Sequence, residues 1–226
     1  MSRWFVEAWT IAGKDLRIEL RTKEVLVTAG LFGLLVTVLT SLAFFLDDSS
    51  ARKIAPGVLW VSTCFAGVLA MGRIWGRERE HDALVGLLLS PASRSAIYAG
   101  KATATLMLLL VIEAALVPVV GLLFRLELGT DLAPMAFFLV LGTVGYVALG
   151  TLFAAMSVRT RARDLMLSVV LFPLTAPALI AGVVATREAF AGAPFSELLA
   201  WARILMAFDL MALAAGLWLF GLLLRD

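Results

Sequence analysis

Six apolar runs, at residues 25–46, 54–72, 102–124, 132–158, 165–185 and 204–224, constrain this chain more than any other feature. Each can carry a helix across the roughly 30 Å hydrocarbon layer of a bilayer, which takes about 20 residues. The cations between the runs are sorted by side. Arg3, Lys14, Arg17, Arg21 and Lys23 precede run one; Arg73, Arg77, Arg79, Arg94 and Lys101 follow run two. Arg159, Arg161 and Arg163 follow run four, and Arg225 lies at the end. The alternate gaps hold only Arg52, Lys53, Arg125, Arg187 and Arg203. Lys and Arg collect on the cytoplasmic side of membrane proteins. The expectation is an all-α polytopic membrane protein with six transmembrane helices and both termini in the cytoplasm.

Composition narrows what such a chain can do. Hydrophobic residues make up 62% and charged residues 16%, with a mean hydropathy of +0.98. A bilayer, not water, accommodates that much apolar surface. No gap is long enough for a soluble domain, so residues 1–226 read as a single transmembrane domain. There is no Gly-x-x-x-x-Gly-Lys-Ser/Thr run, so any nucleotide hydrolysis has to come from another chain. The basic gaps suit anionic headgroups or a protein partner rather than nucleic acid. Cys64 has no second cysteine to pair with, and no Cys-x-x-Cys-His haem-attachment motif is present. His81 is the sole histidine and has no companion ligand, so no metal site is expected. No arrangement of catalytic side chains suggests an enzyme. The first run starts late and reads as an uncleaved insertion signal.

Residues 1–24 have helical periodicity without the length to span. Trp4, Phe5, Ala8, Trp9, Ala12, Leu16 and Leu20 recur at three- and four-residue steps, with Glu7, Lys14, Arg17, Arg21 and Lys23 largely opposite. An amphipathic helix lying in the membrane interface is expected. In the gap after run two, Arg77, Glu78, Arg79 and Glu80 lead into Leu84, Leu87 and Leu88, and Pro91 ends the stretch. Acidic residues in the first turns suit the helix dipole. This predicts a short cytoplasmic helix whose charges and leucines dock a soluble partner, the plainer alternative being a solvated loop laid against the bilayer. On the opposite side, 47–53 and 125–131 read as tight hairpins. The longer gap 186–203, with Phe190, Phe195 and Trp201, reads as a short helix or re-entrant turn.

Two carboxylates fall inside the apolar runs. Glu113 lies midway along run three and Asp209 about a turn into run six. Such groups are costly in lipid unless paired, hydrated or protonated, which makes both candidates for a polar path or a subunit contact. Thr143, Thr151, Ser168 and Thr175 are available hydrogen-bond partners; a bonded strut is the plainer role. Pro118, Pro173 and Pro177 are hinge candidates. Gly142, Gly145, Gly150, Ala154 and Ala155 in run four permit close helix approach, mainly within the bundle. Trp60, Trp75 and Trp201 suit interfacial belts or a groove for a flat ligand.

Four segments also carry a resemblance. They are the stretch 77–101, RERE-HD-ALVGLLLSPASRSAIYAGK; the stretch 150–164, GTLFAAMSVRTRARD, followed by Phe172-Pro173; KDLRIELRTKE at 14–24; and APGVLW at 55–60. Together, in order along nearly the whole chain, they resemble the haem exporter protein B (CcmB) family. Val85, His81-Asp82 and Ser168 depart from its usual residues. The resemblance implies the permease-type subunit of an ATP-binding cassette complex in the bacterial inner membrane, serving c-type cytochrome biogenesis. The implied partners are a cytoplasmic ATPase subunit that binds the ATP, a haem-handling membrane protein, a small membrane subunit and a periplasmic haem chaperone. Haem is the implied ligand, either moved outward or left on a chaperone whose release the ATPase drives. Arg77, Glu78, Arg79, Glu80, Leu84, Leu87 and Leu88 are the implied ATPase-coupling residues. Topology alone also permits a permease for another lipid-like substrate, or a membrane scaffold that transports nothing.

Overall fold

A computed structural model describes residues 2–44, 48–80, 83–126, 128–157 and 163–223. Eight helices account for the regular structure among them: α1 Ser2–Thr22, α2 Glu24–Ala43, α3 Asp48–Glu80, α4 Ala83–Leu89, α5 Arg94–Leu123, α6 Leu128–Ser157, α7 Arg163–Phe190 and α8 Phe195–Leu223. All but α1 and α4 are long and apolar enough to cross a membrane.

Several helices outrun the apolar stretches that reveal them, α3, α5, α7 and α8 most of all, because backbone hydrogen bonding continues where hydropathy fades. The fifth helix starts at Arg94, eight residues before its apolar run, with the Ser93 hydroxyl accepting from the Ala96 N–H at 3.3 Å. The segment 47–53 is no hairpin beyond its first residue, because α3 begins at Asp48. Nor does 186–203 form a separate element. Here α7 runs on to Phe190 and closes at Gly192, whose φ of 77° lets the chain turn left-handed. Then α8 starts at Phe195, its first turn donating to the Pro194 carbonyl.

The sixth helix packs against α3, α5, α7 and α8. Its small residues are sockets for large side chains, as their spacing predicts. The Trp60 indole of α3 presses on Gly142 of α6 and Gly182 of α7, and its N–H donates to Thr186 Oγ1 at 3.3 Å. Met71 of α3 lies on Gly150. In the reverse sense Tyr146 of α6 covers Gly67 of α3 and donates to the Cys64 carbonyl at 2.6 Å. Between apolar helices in lipid, such close packing replaces the hydrophobic drive that holds a soluble core. The second helix is peripheral. Val25, Ala29, Gly33 and Thr37 face inward at every fourth position, while Val27, Leu31, Leu35, Leu39 and Leu42 face out.

A Cβ at Gly142 would run into the Trp60 ring. Gly142→Leu should therefore cost about 1–3 kcal/mol or more through overpacking. Adding Trp60→Ala should recover part of that loss, because the two sites share one contact. Thermal unfolding in detergent of the two single variants and the double variant checks this; strict additivity would show that the indole is not keyed there.

Candidate functional site

Charge gathers where α1, the start of α2, the end of α3 and the start of α5 meet. Lys101, directly before the apolar run of α5, is fully buried. Its ammonium lies 2.8 Å from Asp15 Oδ2 and 2.5 Å from Glu78 Oε1. It also sits 5.6 Å from the centre of the Trp75 ring. Lys14 reaches the same two acids, at 3.3 Å from Asp15 and 2.9 Å from Glu78. Burial pulls the Lys14 ammonium down, but Asp15 and Glu78 outweigh it and leave Lys14 above the ordinary lysine value.

A second cluster adjoins the first. Arg77 bonds Glu19 and Glu24, each at 3.0 Å, and Arg73 bonds Glu24 at 3.1 Å. Glu19, fully buried, turns its other oxygen to the Leu26 N–H at 2.8 Å. That N–H is one of the donors a helix start leaves unpaired, so Glu19 caps α2 while holding α3. The break between α1 and α2 is a single residue, Lys23, at φ 55°. Four cations thus answer four carboxylates across α1, α2, α3 and α5. Buried charges persist only when matched in this way.

The arrangement reassigns several sequence expectations. Arg77 and Glu78 were expected to meet a soluble partner. Instead Glu78 is 4% exposed and engaged by two lysines, while Arg77 binds α1 and α2. Both knit the chain to itself. The short helix between spans two and three is present as α4. Leu87 on it is half-buried against the core, whereas Val85 is 54% exposed and Leu89 83% exposed, one turn apart. The side chains of Arg79, Glu80, Leu84 and Leu88 lie outside the described residues, as do His81, Arg159 and Arg161 altogether. Beside α4 a cavity of about 660 Å³ opens between α1 (Val6, Thr10, Ile11) and Leu87, Ser90, Pro91 and Ala92, with Arg3, Glu7 and Lys14 on its wall. On α1 the inward face carries Ala8, Ile11, Ala12, Asp15 and Glu19, and Phe5, Trp9 and Leu20 point outward. The apolar stripe read from the sequence is thus split between bundle and surroundings.

Asp15, Glu19 and Lys101 are what sequence reasoning missed. Asp15 and Glu19 stand four apart beside small inward residues, and Lys101 abuts an apolar run. Each looked like ordinary boundary charge.

The intramembrane acids occupy opposite faces of α6. Glu113 of α5 accepts from Thr143 Oγ1 at 2.6 Å. Asp209 of α8, 5% exposed, rests against the backbone of Gly145, where a Cβ would strike it. Thr143 and Gly145 differ by two residues, about 3 Å of helix rise, so the acids share one depth. With α8 starting at Phe195, Asp209 lies halfway along its helix rather than near its start. The helices run unbroken through Pro118, Pro173 and Pro177; between the last two, Thr175 Oγ1 donates to the Leu171 carbonyl at 2.8 Å. Among the described residues no cluster of His, Cys, Asp and Glu could hold a metal ion.

Lys101→Met would leave Asp15 and Glu78 with Lys14 alone. Breaking a buried pair costs about 3–5 kcal/mol. The melting temperature in detergent should fall, and α1 should become the first site of limited proteolysis. A variant that melts and digests like the parent would show that the ammonium does not hold α1.

The sequence profile of the CcmB protein family matches residues 6–225. The chain is 33% identical over 195 residues to heme exporter protein B of Paracoccus denitrificans, covering 86% of this chain and 89% of that one. It is 30% identical over 209 residues to heme exporter protein B of Bradyrhizobium diazoefficiens, covering 90% and 94%. The protein of that name from Pseudomonas aeruginosa is 26% identical over 214 residues, 92% and 94% of the two chains. With six spans, a tethered amphipathic helix and this end-to-end match, the chain belongs to the CcmB protein family.

Proposed function

We propose that this chain is the permease-type subunit of an ATP-driven haem export or delivery complex in the bacterial inner membrane, serving c-type cytochrome biogenesis. The relatives' name supplies haem. The missing phosphate-binding loop requires a separate ATPase. The observation that carries the coupling role is α4. It presents Val85 and Leu89 on one side and is anchored through Leu87 on the other. An exposed apolar pair beside a cavity of about 660 Å³ is the kind of feature a soluble partner covers. In this reading the α1–α4 end faces the cytoplasm and the ATPase subunit seats there. Arg79, Glu80, Leu84 and Leu88 flank the seat in sequence, and Arg77 and Glu78 stiffen what lies behind it. Push on α4 passes to α3 and, through the Lys101 cluster, to α1 and α5. Pro118, Pro173 and Pro177 are the places where the spans yield. Glu113 and Asp209 hold α6 between α5 and α8. The haem-handling membrane protein, the small membrane subunit and the periplasmic haem chaperone meet the spans or the far end.

Val85→Asp combined with Leu89→Asp should reduce co-purification of the ATPase subunit by about tenfold or more while leaving the chain's own melting unchanged. Glu78→Ala should do the reverse, lowering the melting temperature first. If the double variant retains its ATPase in full yield, α4 is not the seat.

The function itself is tested in cells at matched membrane levels, by following mature c-type cytochrome together with the haem content of the periplasmic chaperone. Loss of this chain should abolish the cytochromes. A haem-free chaperone would mean that the chain supplies haem. Accumulated haem-loaded chaperone would mean that it transmits the energy for release. Normal cytochromes without the chain would overturn the proposal and favour a different lipid-like substrate.

A further inference from the structure

The end of the bundle opposite α1 is poor in cations, yet they are not scattered. Arg52 and Lys53 from the second turn of α3 and Arg187 from the last turn of α7 surround one cavity of about 550 Å³, with Glu188, Phe190 and Ala191 completing it. Topology cannot explain the cluster, because the positive-inside rule disfavours cations at this end. Arg52 is engaged within the chain. Lys53 and Arg187 are exposed, and among the described residues neither is ion-paired. Among the described lining residues the one acid is Glu188, which accepts from the Trp201 indole N–H at 2.6 Å. The site is also held in place, since the end of α7 is closed by the Ala193 N–H donating to the Glu188 carbonyl at 3.0 Å.

The same two helices frame an apolar groove deeper in the membrane, of about 310 Å³, lined by Trp60, Cys64, Phe65, Phe172 and Ile180 among others. Lys53 and Trp60 are seven residues apart on α3, about 10 Å. One seam between α3 and α7 therefore offers cations at its mouth and an apolar, aromatic wall a short way below. It fits a ligand that carries acid groups at one edge of a flat apolar body.

We propose that Lys53 and Arg187, supported by Arg52, hold the propionate carboxylates of haem at this mouth, with the macrocycle directed toward the Trp60 groove. This rests on the haem reading above and adds where and by which atoms the ligand is held. An anionic lipid, with a phosphate above an acyl chain, shares the chemistry and is the competing occupant.

The test uses the full chain in nanodiscs of neutral phosphatidylcholine, titrated with ferric haemin and read by tryptophan quenching and the Soret band. Lys53→Gln with Arg187→Gln should weaken haemin binding at least about tenfold, as loss of two charge-assisted contacts requires. The charge-keeping pair Lys53→Arg with Arg187→Lys should retain it, which separates loss of charge from loss of fold. Haemin dimethyl ester should bind the parent and the Gln variant equally, and more weakly than haemin binds the parent. The proposal is overturned if haemin binds the parent and the Gln variant alike, which leaves the haem reading standing. It is also overturned if phosphatidylglycerol in the disc is retained by the parent, lost from the Gln variant and leaves haemin affinity unmoved, which makes the mouth a lipid site. If the parent binds no haemin while its deletion still abolishes cytochrome maturation, the mouth holds nothing for haem and energy transmission is left as the role. If neither effect is seen, both readings fall.

Discussion

A lysine with no exposed surface, at the edge of an apolar span, dictates the layout of one whole end of this protein. The Lys101 ammonium has to be answered by carboxylates, and its own helix supplies none nearby; Asp15 comes from α1 and Glu78 from α3. Bringing those acids in draws Lys14 in as well, and the adjoining acids Glu19 and Glu24 then engage Arg77 and Arg73. Desolvation makes a part-built cluster worse than none. The positions of α1, α3 and α5 are consequently coupled: none can shift without exposing a charge that another was neutralising. That is a different kind of cohesion from the sockets around α6, where glycines accept Trp60, Tyr146 and Met71 by shape. Shape tolerates small sliding, whereas a buried ion pair does not.

Much of the architecture was legible because a bilayer imposes lengths. The six apolar runs are six spans, the early periodicity is α1, and the Leu-rich stretch before Pro91 is α4. The socket role of Gly142 and Gly150 also followed from small residues in a span. Helix ends were less legible, since hydropathy marks where lipid ends and not where backbone bonding ends. Ser93 as a cap and Gly192 as a stop were the local signals for α5 and α7.

The site was the least legible part. A cation at a span boundary looks the same whether it orients the protein or is buried in a pair. Arg77 and Glu78 read as a partner-facing cluster because charge in a gap is usually solvated. What distinguishes them is the charges they meet far away in sequence, Glu19 of α1 for Arg77 and Lys14 and Lys101 for Glu78, and periodicity cannot report that pairing. The open side of α4 at Val85 and Leu89 is illegible for the converse reason: every position of α4 but one is a large or small aliphatic, so sequence alone does not say which face α3 covers.

The unbroken length of α3 has a mechanical consequence. At 33 residues it is a rod of about 50 Å, against a hydrocarbon thickness of roughly 30 Å. Its helical course continues through Pro56, which lies between Lys53 and Trp60 and leaves the Arg52 carbonyl without a helical donor. Tilting such a rod by only 10° about its middle swings each tip by about 4 Å, in opposite directions. Trp60, keyed between α6 and α7, acts as the bearing nearer one end. Were α3 to pivot there, with the Lys101 cluster carrying α1 and α5 along, the tip at Glu78 and the tip at Arg52 and Lys53 would swing in opposite senses.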